Sequence, residues 1–166
     1  MDILWTKSIV KLICNILFKF LKNDKSNKNM PFNIILEDAH YYIDSNDKLL
    51  KYNIFDKIAK EGKNIGLIMS LVTDKPNDLT NFVLSKCSNF IIFRSSCYNN
   101  VDNFTNVCNY FDLNLFEKQR SLQFGTCIIY GNISKIPMII KLLSPLPEPK
   151  NSNISIYDRW IVDWNK

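Results

Sequence analysis

Residues 33 to 40 read Asn-Ile-Ile-Leu-Glu-Asp-Ala-His, an apolar run that stops abruptly at two adjacent acids. With Phe32 ahead of it, the run Phe32, Ile34, Ile35, Leu36 has the near-continuous apolar content of a short strand covered on both faces, as in parallel sheets flanked by helices. Glu37 and Asp38 then sit beyond the strand's carboxyl end, where open sheets of this kind bind their ligands.

The flanking residues extend the pattern. Upstream, Ile9, Leu12, Ile13, Ile16, Leu17, Phe20 and Leu21 recur at the spacing of one helix face, which predicts an amphipathic helix over residues 6 to 22 whose stripe packs on a sheet. The polar stretch 23 to 31, closed by Pro31, is a connecting loop. Downstream, a helix over residues 49 to 60 carries Leu50, Ile54, Phe55, Ile58 and Ala59, with Gly62 as its C-cap. A second buried strand follows over residues 66 to 72 and ends in Thr73, Asp74, Lys75 and Pro76. Next come a helix over residues 78 to 86 with Leu79, Phe82 and Val83 inward, and a third strand from Phe90 to Phe93 followed by Arg94. Helical spacing resumes over 101 to 111 and 115 to 122, and Gly125 turns the chain into strands near 126 to 130 and 136 to 143. The alternation predicts an α/β domain over residues 1 to 145, with a mainly parallel sheet, flanking helices and a carboxyl-terminal β-hairpin. Residues 146 to 166 form a proline-containing tail with a short terminal helix bearing Tyr157, Trp160, Ile161 and Trp164.

Composition narrows the class. At 166 residues, 46% hydrophobic and 13% aromatic, the chain can build one sizeable core. Its net charge of +5 is scattered rather than blocked, which is a solvated surface first and leaves double-stranded DNA open as a partner. Five separated cysteines and a single histidine form no zinc or disulfide pattern and fit free thiols in a reducing cytoplasm. The lysines at 7, 11, 19 and 22 break the amino-terminal apolar segment, so neither a signal peptide nor a membrane anchor is expected.

An apolar strand ending in two acids has the shape of a Walker B segment, in which one acid holds magnesium, usually through water, and the other orients the attacking water. The stretch 58 to 84, I-A-K-E-G-K-N-I-G-L-I-M-S-L-V-T-D-K-P-N-D-L-T-N-F-V-L, resembles a second block of the HerA/FtsK-type P-loop ATPases; Glu61, Gly62, Gly66, Pro76 and Leu79 match its pattern. The helix over 8 to 22, the loop closed by Pro31, the Glu-Asp-Ala-His segment, the strand from Phe90 to Arg94 and Asp102 follow in the same order, so the resemblance covers residues 8 to 143.

The resemblance implies a RecA-like core, commonly a hexameric ring moving along double-stranded DNA, with ATP and Mg2+ as cofactors and a nuclease among the compatible partners. It places Glu37 at the magnesium-side acid and Asp38 where the family has a catalytic glutamate, one methylene longer. Lys63 stands in for an arginine resembling a finger that acts on a neighbouring subunit; lysine lacks the planar fork that clamps a γ-phosphate. Thr73 and Asp74 replace a serine and a glutamine of the sensor strand, which brings negative charge toward the phosphate position. His40 either orients the acids or serves as a structural residue, and Arg94 either senses nucleotide or pairs with an acid.

The four glycines, Gly62, Gly66, Gly125 and Gly131, leave no G-x-x-x-x-G-K-[S/T] loop within these residues. The family places that loop ahead of Met1, so the expectation is a Walker B half completed by an upstream polypeptide, or a silent ATPase-like subunit that oligomerises. The strand that bears the loop would lie between the strands 66 to 72 and 89 to 95. Without it those two either pair directly or leave an apolar seam that needs a partner chain.

Overall fold

The computed structural model describes residues 3–23, 31–44, 53–94 and 113–147. The expected polar stretch beyond Asp44, the helix over 101 to 111 and the terminal helix of the tail lie outside the described residues.

Helix α1 (Ile3–Asn23) leads to strand β1 (Phe32–Leu36), helix α2 (Ile54–Glu61), strand β2 (Leu67–Leu71), helix α3 (Asn81–Lys86) and strand β3 (Asn89–Phe93). Helix α4 (Leu113–Arg120) and the strands β4 (Thr126–Gly131) and β5 (Met138–Lys141) complete the order. β1 and β2 pair in parallel with Phe32 opposite Leu67 and Leu36 opposite Leu71. β3, β4 and β5 form a separate antiparallel sheet in that order, and the expected carboxyl-terminal hairpin is its β4–β5 half. Among the described residues β2 and β3 share no ladder, so each ends its sheet.

One core joins α1, α2, α3 and the inner face of β1–β2: Phe18, Leu36, Ile43, Phe55, Ile58, Leu67 and Val83 are all buried in it. Asn53 caps α2, its side chain accepting from the Phe55 amide at 3.1 Å, which satisfies one of the helix's open donors. Thr80 caps α3 in the same way through the Val83 amide. In the second sheet Phe90 stacks on Tyr130 with ring centroids 4.8 Å apart. Gln119 of α4, fully buried, donates from Nε2 to the Phe93 carbonyl at 2.9 Å and so fastens the helix to the end of β3.

Four sequence expectations change. The stripe predicted to face the sheet on α1 is largely bare: Ile9, Leu12, Ile13, Ile16 and Phe20 are 48 to 59% exposed. Of that stripe Leu21 is buried and Leu17 partly covered, and beside them the helix buries Cys14 and Phe18, with Val10 partly covered. β1 and β2 are covered on one face only, since Ile35 and Ile68 point outward. Phe82 is exposed, and Val83 and Leu84 carry the inward face of α3. Gly62 is the C-cap of α2 as expected, but not in a left-handed conformation: its φ is −56°, and the chain continues through a 3-10 turn that Gly66 caps at φ 75°. What requires glycine at 62 is close approach, because a Cβ there would run into the Leu67 carbonyl oxygen.

Lys22 at the end of α1 pairs with Glu61 at the end of α2 at 2.9 Å and ties the two helices together. The hydrogen bond and charge of Lys22, assisted by Lys57 and Lys60, hold the Glu61 carboxyl below the usual glutamate range. A depressed acid stabilises the fold above its unfolded pKa, and that contribution is lost as pH falls through the folded value. Denaturant midpoints of the wild type and Lys22→Ala are therefore expected to differ at neutral pH and to converge in acid below the glutamate range.

Candidate functional site

At the carboxyl end of the parallel pair the two strands remain laced past their last residues. The Val72 amide donates to the Leu36 carbonyl and the Ala39 amide to the Val72 carbonyl, each at 2.9 Å. This holds the turn after β1 against the turn after β2. Between them Asp38 takes a left-handed backbone, φ 50° and ψ 46°, the one non-glycine residue with positive φ among those described. An aspartate in that region costs about 1 kcal/mol or more, because its Cβ crowds the following carbonyl. Asp38→Gly is expected to raise stability by about 1 kcal/mol in a thermal or denaturant melt while it deletes the carboxylate.

His40 follows Ala39 into the interior, its side chain only 6% exposed. Its Nδ1 lies 3.1 Å from the Thr73 hydroxyl and 3.5 Å from an Asp74 carboxylate oxygen. The same hydroxyl accepts from the Lys75 amide at 3.0 Å, which fixes the turn that presents Asp74. Nε2 is buried without a hydrogen-bond partner among the described residues. Asp38, His40 and Asp74 each offer a ligand atom within 4.8 Å of the others, with both carboxylates open to solvent. That is a geometry in which one cation can lie between two acids, and oxygen donors suit magnesium.

The site residues expected from sequence thus divide. Asp38, His40, Thr73 and Asp74 meet at one rim. Glu37 stands exposed in the same turn, outside the group close enough to share an ion. Arg94 is exposed at the end of β3, in the other sheet, and forms no ion pair among the described residues. Lys63 lies in the turn before β2, at the opposite rim; a five-residue strand separates it from Thr73 by roughly 16 Å. Within one copy it does not reach the acids. The contact that sequence reasoning missed is the one between His40 and Thr73, 33 residues apart, for which no local signal exists.

Parallel strands laced past their ends, with acids at that rim and helices on the covered face, make an α/β fold of the kind found in P-loop NTPases, and comparison with known proteins bears the fold out. The genome packaging NTPase B204 of Sulfolobus turreted icosahedral virus 2, solved with sulfate, superposes with a TM-score of 0.59 at 20% identity, covering 78% of this chain and 63% of that one. The DNA double-strand break repair helicase HerA of Saccharolobus solfataricus is 27% identical over 123 residues, 74% of this chain and 25% of the helicase. A probable helicase of Methanocaldococcus jannaschii is 30% identical over 112 residues, 68% of this chain and 22% of its own length. No protein-family model matches the chain. Over most of its length the chain is a homologue of the HerA-type P-loop ATPases. It spans about a quarter to a third of the length of these curated helicases. Among the described residues no helix is long and apolar enough to cross a membrane.

Proposed function

We propose that these residues supply the acid-bearing half of a HerA-like, ATP-driven DNA translocase, and that the phosphate-binding loop lies in other residues, earlier in the same polypeptide or in a partner. The observation that carries this reading is the rim where Asp38, His40, Thr73 and Asp74 converge in a chain whose four glycines cannot form the loop. By its place in the family pattern Glu37 is the magnesium-side acid and Asp38 the group that orients the attacking water, although the geometry groups Asp38 with Asp74 and leaves Glu37 outside. His40 and Thr73 fix the geometry between the two turns. Asp74 adds negative charge beside the γ-phosphate position, which a cation shared with Asp38 offsets. Magnesium supplies charge neutralisation on the phosphate oxygens. Lys63, at the opposite rim, would act on the site of an adjacent subunit in a ring, and Arg94 would sense nucleotide if the β3 edge is brought up to the loop. ATP, Mg2+, double-stranded DNA and like subunits are the ligands and partners this reading requires, in the cytoplasm.

A second reading is a subunit that keeps the fold and oligomerises without turnover. It is favoured by the shorter acid at Asp38, since a displacement of about 1 Å can cost roughly 100-fold in rate, and by the lysine at 63. ATP hydrolysis measured with the chain alone, and after addition of the polypeptide bearing G-x-x-x-x-G-K-[S/T], separates these readings. Turnover in the mixture alone is expected. A silent but stable mixture supports the second reading, and turnover by the chain alone overturns the assignment of the loop to other residues.

A further inference from the structure

His40 decides which cation the acidic rim prefers. Its side chain is only 6% exposed, and among the described residues Nε2 has no hydrogen-bond partner. The ring's polar contacts therefore all lie on the Nδ1 edge, which stands 3.1 Å from the Thr73 hydroxyl and 3.5 Å from an Asp74 carboxylate oxygen. Asp38 brings a third ligand atom within 4.8 Å of the other two. Among the described residues neither aspartate has a lysine or arginine partner, so two like charges stand together beside a buried ring with no cation to offset them.

Oxygen donors alone would leave the choice to magnesium, but an imidazole nitrogen shifts it toward zinc and its neighbours in the first transition row. The spacing agrees. An ion about 2.1 Å from both Nδ1 and the Asp74 oxygen would subtend about 113° at their separation, close to a tetrahedral angle and far from the roughly 90° of an octahedron. Neighbouring ligands of octahedral magnesium stand only about 2.9 Å apart. The ring is held by its burial, whereas both carboxylates are open to solvent and free to rotate onto an ion. Such an ion displaces one neutral contact, that between the ring and the Thr73 hydroxyl, and gains a nitrogen and two carboxylates in return.

We infer that Asp38, the Nδ1 of His40 and Asp74 bind one Zn2+ ion, with water as the fourth ligand, and hold it more tightly than Mg2+. Three protein ligands and a water make an open zinc site rather than a closed structural one. Zinc binding here rests on the preceding reading only in naming the cation that Asp38 and Asp74 share. It needs neither nucleotide nor the phosphate-binding loop. A chain that binds zinc while the completed assembly stays silent keeps the zinc site and loses the motor, and turnover without zinc binding does the reverse.

The test is isothermal titration of the 166-residue chain with zinc chloride alone, with magnesium chloride as the comparison. One zinc ion per chain is expected at this site, retained in a large excess of magnesium. Cysteines elsewhere in the chain can also take zinc, so the ligand is identified through the ring itself. His40 is the one histidine of the sequence, and long-range proton–nitrogen spectra therefore report it without ambiguity. Its Nδ1 signal should move as zinc is added and stay in place with magnesium. Asp74→Asn and Asp38→Asn, both at exposed positions, should each weaken zinc binding at least about tenfold, the least that disturbing a metal site's ligand set costs, with an unchanged far-ultraviolet spectrum. The zinc site is overturned if no zinc binds, if zinc binds without moving the His40 nitrogens, or if both asparagine variants bind it as the wild type does. Displacement of zinc by an equal concentration of magnesium overturns it too.

Discussion

Phe55→Ala is expected to lower stability by about 3 to 5 kcal/mol, the range for emptying a fully buried phenylalanine site. Phe55 has no exposed surface and sits where α1, α2, α3 and the inner face of β1–β2 meet. Those elements are pinned by short strands, so the site has little freedom to collapse. Domains are stable by only about 5 to 15 kcal/mol, and this one leaves one face of its parallel pair bare. The variant should therefore be substantially unfolded at neutral pH in urea titrations. Phe82→Ala, an exposed position on the neighbouring helix, should shift the midpoint only slightly. A small shift at Phe55 would mean that the core is not the one described.

Gly131→Ala is expected to have a comparable effect in the second sheet. Gly131 ends β4 at φ +121°, and a Cβ there would meet the Ser88 carbonyl oxygen and stand 2.8 Å from the Asn89 Cα. The Ser88 carbonyl cannot yield easily, because it accepts from the Asn132 amide at 2.9 Å. Backbone strain and overpacking each contribute roughly 1 to 3 kcal/mol, so about 3 to 5 kcal/mol is expected in a denaturant melt. Gly125→Ala is the internal comparison: its φ is +74°, but nothing lies within 4 Å of the added Cβ. It should cost only about 1 kcal/mol.

Several of these features were legible in the sequence and others could not be. β1, β2 and the acids at their rim follow from apolar runs cut off by polar residues, a signal carried within a few positions. The buried side of α1 was not legible, because a helix apolar around most of its circumference satisfies the spacing rule on either side. Packing against α2 selected Cys14, Phe18 and Leu21 over Ile9, Ile13 and Ile16. Gly62 was legible as the C-cap of α2, but the carbonyl that excludes a side chain there comes from Leu67, a neighbour that the fold creates. Asp38 and Asp74 could be named as acids beyond two strand ends. That they share one cation-sized space with His40 depends on the register of the parallel pair. Among the described residues β2 and β3 share no ladder, and Arg94 stands at the end of β3 in the other sheet from the acids.

The account stands or falls on whether Asp38 faces the phosphates of a nucleotide held by other residues. The measurement is the ATP turnover of the completed assembly, this chain together with the loop-bearing polypeptide, before and after Asp38→Asn. Loss of a positioned acid or base in hydrolysis costs about 100-fold or more, and a fall of that size with the assembly intact is the predicted result. Undiminished turnover would contradict it.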